Sequence, residues 1–160
     1  MRPTGYRQKL LINKFCHTEN IEALSPRLHI EFASESSIAA ILRRGPSDWA
    51  QLLRWDTASD TVLAGSWFHG RIYEDGCSIS PDGRLFAYFA TKYHGDKTRG
   101  VNYAWTAISK LPYLTALALW PHSDTWGGRA QFVDNKTLII DCPHWESLMT
   151  DDSLPKGFTV

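Results

Sequence analysis

Between the apolar runs "CSIS" and "LFAYFA" the chain reads Pro81-Asp82-Gly83. Proline presets φ at the first corner of a turn, and glycine takes the positive φ that other residues resist. The segment therefore has to reverse sharply, and two apolar runs on either side of such a reversal predict a β-hairpin. The same punctuation recurs along the chain. "RLHIEF" from Arg27 and "IAAIL" from Ile38 are separated by the small polar "ASESS". "WAQLLRW" (49–55) and "TVLAGSW" (61–67) flank "DTASD", whose Asp and Ser side chains can bond their own backbone and favour a tight reversal. "NYAWTAI" (102–108) and "TALALW" (115–120) are joined by "SKLPYL", and "RAQFV" and "TLIID" surround Asp134-Asn135-Lys136. Ten strands are expected. Seven Trp, six Tyr and seven Phe agree, because aromatic side chains fit a pleated surface better than a long helix. Only "KLLINKF" near the N-terminus and the tail around Trp145 have the pattern for a helical turn.

A length of 160 residues suits one domain rather than two. Seventeen Lys and Arg balance seventeen Asp and Glu, so no net field recruits nucleic acid or anionic lipid, and partners of those classes are not expected. Cys16, Cys77 and Cys142 are odd in number, far apart and without a CxxC pair, which argues against a disulfide framework and for a reducing compartment. The first twenty residues lack the apolar core of a secretory signal, and the longest apolar run, "YLTALALW", is far short of the roughly 20 residues of a membrane-spanning helix. A cytoplasmic location is the expectation.

The chain also overlays on itself. A shift of 53 places Trp67 on Trp120, His69 on His122, Ile79 on Phe132, Asp82 on Asn135 and Leu85 on Leu138. A shift of 47 places Phe32 on Ile79, Glu35 on Asp82, Ile38 on Leu85 and Leu42 on Phe89. Units of about 50 residues fall in the range of propeller blades. The expected division is an N-terminal extension over 1–26, a first unit over 27–67, a second over 68–120, a partial third over 121–145 and a tail over 146–160.

The stretch from Leu52 to Ala90 resembles a blade junction of WD-repeat or TolB-like β-propellers. Trp55-Asp56 stands where such repeats end their third strand. Phe68-His69-Gly70 is similar to their Gly-His element, and Ser80-Pro81-Asp82-Gly83-Arg84-Leu85 to the hairpin between first and second strands. The resemblance implies an all-β chain of antiparallel, four-stranded, propeller-like units. Propellers close with four or more blades. Two and a half units leave the chain incomplete or open: a truncated relative, a part completed by a second copy or partner, or an open packing of similar units.

Candidate site residues are few. His69 and His122 occupy equivalent places in successive units, where they could meet on one rim as titrating groups, with Asp124 beside them. The resemblance implies instead a structural His69 bonded within a turn, with Asp96 as a partner. A zinc site needs three or four convergent ligands, and Cys142-Pro143-His144 adds only weak support, so no metal or other cofactor is expected. Trp126, next to Gly127-Gly128 and Arg129, is the tryptophan expected to be exposed as a binding platform, whereas Trp55, Trp67 and Trp120 read as core, since each large ring gains most by burial. No Gly-x-Ser-x-Gly elbow or phosphate-cradling loop occurs, and Ser78 or Ser80 near His69 does not make a triad. The expected function is a non-enzymatic module that binds a protein partner or a second copy of itself through Trp126, His122, His69, Asp124 and Arg129. The alternative is a small-ligand or metal-dependent hydrolytic site built from His69, His122 and Asp124.

Overall fold

Short β-favouring runs between strong turns leave the backbone one economical solution, the antiparallel meander. The computed structural model describes residues 26–45, 48–92, 104–122, 124–141 and 154–160, and in it all ten expected runs are strands. They are β1 (Arg27–Phe32), β2 (Ile38–Arg44), β3 (Trp49–Asp56), β4 (Thr61–His69), β5 (Arg71–Ile79), β6 (Leu85–Thr91), β7 (Ala104–Lys110), β8 (Ala116–His122), β9 (Ala130–Phe132) and β10 (Leu138–Ile140). No helix occurs among the described residues. "KLLINKF", the region of Trp145, Asp96, Cys16 and Cys142-Pro143-His144 lie outside them.

The chain is all-β. Three antiparallel sheets form in sequence order, β1-β2-β3-β4, β5-β6-β7-β8 and β9-β10, and none closes on itself. The first sheet continues to His69, two residues past the expected end of the first unit. β5 also begins earlier than "CSIS", at Arg71. Its pairing with β6 jumps between Tyr73 and Ser78, so Glu74-Asp75-Gly76 sits in a bulge, which explains why a strand could contain a turn-like composition.

The sheets stack face to face. Ile38, Ala40, Leu42 and Leu52 of the first sheet share one buried cluster with Ile72, Phe86, Tyr88 and Ala107 of the second. The other face of the second sheet, through Leu85, Ala87, Ile108 and Trp120, packs on Ala130, Phe132 and Leu138 of the third. Thus β6 is buried on both faces along its whole length, which suits its unbroken apolar sequence. The first strands of the sheets lie nearest one another, with β5 contacting both β1 and β9.

The turns that open each unit also meet. Ser80 Oγ accepts from the Leu85 amide at 2.9 Å and donates to Asp82 Oδ1 at 2.7 Å, fixing the predicted hairpin. Gly83 has φ +76°, as its place in the turn requires. Asn135 of the third turn accepts from the Asp82 amide at 2.8 Å and donates to Glu35 Oε2 at 2.9 Å, while the Glu35 amide donates to the Pro81 carbonyl. The three residues matched by the sequence overlay therefore lie together at one rim of the stack.

Candidate binding surfaces

Register decides which residues reach which surface. In β2, Ile38, Ala40 and Leu42 point at the second sheet, so Ala39, Ile41 and Arg43 point away. Pairing carries this outer face across the sheet: Phe32, Ile30 and Leu28 lie opposite Ala39, Ile41 and Arg43, and Trp55, Leu53 and Gln51 lie opposite them on the other side. Val62 faces Trp55, Trp67 faces Gln51 and His69 faces Trp49. Nothing among the described residues covers this face. Leu28 is 60% exposed, Phe32 61%, Val62 54%, Trp67 51% and Trp49 45%. The rings contact one another: Phe32 meets Trp55 at 6.1 Å, Trp49 meets Trp67 edge-on at 6.4 Å, and His69 stacks on Trp49 at 4.7 Å. The Arg43 guanidinium lies 5.7 Å over Trp67. Contiguous apolar patches of this kind mark interaction sites.

This placement corrects two expectations. Trp67 is not core, and the Trp-x-His overlay does not survive in three dimensions. Ile38 lies opposite Asp56, and its match Leu85 lies opposite Lys110, so the third strands are related by a shift of 54 rather than 53. That single residue puts Trp67 on the face away from its neighbour sheet and Trp120 on the face toward the third sheet, because a one-residue slip inverts the side chains. Trp120 is buried as expected, at 5% exposure, and Trp55 is half-buried.

His69 and His122 accordingly have separate surroundings. His69 is exposed on its tryptophan. His122 is buried edge-on against the Phe89 ring, with Nε2 2.8 Å from Thr106 Oγ1. The Thr106 hydroxyl gives its single proton to the Gly128 carbonyl at 2.7 Å, so it accepts from His122, whose proton sits on Nε2. A rim site shared by the two histidines and Asp124 is not assembled, and no group of three metal-ligating side chains occurs among the described residues. Burial holds the His122 pKa below the ordinary imidazole range, against an opposing pull from Asp124. The unfolded chain therefore takes up this proton first as pH falls, so the stability held by neutral His122 is complete above about pH 6.5 and is lost below it, through the lower folded-state value. Denaturant midpoints measured between about pH 7.5 and about pH 5 should fall more for the wild type than for His122→Gln, and equal slopes would contradict this.

Trp126 is 80% exposed, the most open large apolar side chain among the described residues. Its amide donates to Asp124 Oδ1 at 2.9 Å, so Asp124 shapes the loop rather than facing a histidine pair. Gly128 at φ +78° lets the backbone pass so close to Phe89 that any Cβ would run into the ring. Trp126 and Arg129 border a shallow cleft of about 270 Å³ with Arg71, whose guanidinium lies 4.6 Å over the Tyr73 ring. Two of the five expected binding residues thus share one cleft. Ser78 accepts from the Phe132 amide, and Ser80 is spent on its turn, so neither is poised as a nucleophile. Burial raises the thiol pKa of Cys77, which makes that sulfur unreactive.

No described helix is long and apolar enough to cross a membrane. Family models, curated proteins and solved structures were all compared with the chain, and none matches it.

Proposed function

We propose that this chain is a protein-binding module of β-propeller-like type that associates with a second copy of itself through the outer face of its first sheet. The single observation that carries the reading is that face: four strands wide and rich in exposed aromatic side chains, with Arg43 and His69 its only ionisable groups on the described strands and Asp60 at its edge on the Trp55 indole. Each inner face of the stack is buried against the next sheet, whereas this one has no neighbour among the described residues. A zero formal net charge means that two copies do not repel one another at long range. The meander order of the sheets and the adjacency of their first strands support the blade-like description.

Sedimentation velocity over a range of concentrations tests the reading. The wild type should sediment as a dimer or larger species, and a Phe32→Glu/Trp67→Glu variant as a monomer, because each change places a carboxylate in an apolar contact that would have to be desolvated. Both sites are more than half exposed, so folding should survive the changes. A wild type that stays monomeric throughout, or a variant that associates equally well, would overturn self-association.

A further inference from the structure

Where the three unit-opening turns meet, they leave a groove of about 680 Å³. Its apolar floor is Ile38, Leu85 and Leu111, one residue from the first sheet and two from the second unit. Around that floor stand Arg54, Arg84, Lys110 and Lys136, contributed by β3, the β5–β6 turn, β7 and the β9–β10 turn. Asp82 is the only carboxylate among the described lining residues. Arg84 makes a loose ion pair with it at 3.5 Å; Arg54 and Lys136 lie within electrostatic reach of Asp56 and Asp134 without a close ion pair, and Lys110 has no ion pair among the described residues. Four cations against one carboxylate among the described lining residues leave the trough itself with a positive excess, while the Glu35, Asp56 and Asp134 carboxylates stand beside the lining residues Asn135, Arg54 and Lys136.

We infer that this groove binds an extended acidic peptide of a partner protein, seating an apolar side chain on the floor and flanking carboxylates on Arg54, Arg84, Lys110 and Lys136. Charge complementarity selects the sign of the ligand, and the apolar floor selects a peptide over a bare anion. Nucleic acid fits less well, because no aromatic ring among the described residues lines the groove to stack a base. The site is separate from the outer aromatic face and stands or falls independently of it.

The test is fluorescence anisotropy with a fluorescein-labelled peptide EDLFDLED, a charge-neutral counterpart QNLFNLQN and a labelled eight-residue oligothymidylate. The acidic peptide should bind alone of the three, and more weakly as salt rises from about 50 mM to about 500 mM. Arg84→Glu/Lys136→Glu should weaken it by at least about tenfold, and Lys110→Glu alone should act in the same direction, each with an unchanged thermal midpoint. All three side chains are exposed, so folding should survive the changes. No binding at about 100 µM protein, equal binding of the neutral peptide or the oligonucleotide, or undiminished binding to both variants would overturn the assignment.

Discussion

Replacing Gly83 by valine should destabilise the protein by about 3–5 kcal/mol, measured as the shift in urea midpoint at constant m-value. Two costs add at this position. The residue sits at φ +76°, where a β-branched side chain is strained. A Cβ there would also stand 2.5 Å from Ile38 Cβ and 2.9 Å from Ser36 Oγ, atoms of the neighbouring unit. The turn is therefore closed against the first sheet as well as within itself. Gly83→Ala separates the costs: combined with Ile38→Gly, which removes the contacted Cβ, it should lose less than the sum of the two single changes, since part of its penalty is the contact with Ile38. A Gly83→Val protein within about 1 kcal/mol of the wild type would show that the turn is not packed this way.

Phe86→Ala should cost a comparable amount, about 3–5 kcal/mol. Phe86 is 1% exposed and lies in the layer between the first two sheets, 6.2 Å from the nearly parallel Tyr88 ring. Removing it leaves a cavity lined by both sheets, and neither can collapse alone because each is held by its own strand ladder. Loss of the ring should therefore appear as weakened coupling of the two sheets and as dye binding to the opened layer before full unfolding. A small loss, near that of an exposed aromatic such as Trp67, would mean that the sheets are not joined through this residue.

Much of this architecture is legible in the sequence because turn chemistry is local. Pro81-Asp82-Gly83, Asp134-Asn135-Lys136 and "DTASD" fall where the chain reverses, and all ten strands follow from the apolar runs between them. The matches among Glu35, Asp82 and Asn135 also have a spatial counterpart, since these residues are bonded to one another across three turns. What the residues do not reveal is the face on which a side chain emerges. In β1, Leu28, Ile30 and Phe32 alternate with His29 and Glu31, a pattern that ordinarily places the apolar set inward. Here the apolar set points away from the second sheet, and His29 pairs with Glu31 at 2.7 Å. Bulges in the pairing of β4 and β8 and a one-residue difference in spacing account for the misplaced Trp67 and the separated histidines. Trp126 could be found because two glycines follow it, whereas the basic groove could not, because its cations come from four distant segments.

The aromatic sheet face should become covered when copies meet, and hydroxyl-radical footprinting of the intact chain at low and high protein concentration reads that directly. Phe32, Trp49 and Trp67 should lose reactivity together as concentration rises, while Trp126 stays equally reactive at both. Reactivity of the three that does not change with concentration would contradict the account, whether the face remains open to solvent or is already occupied by another part of the same chain.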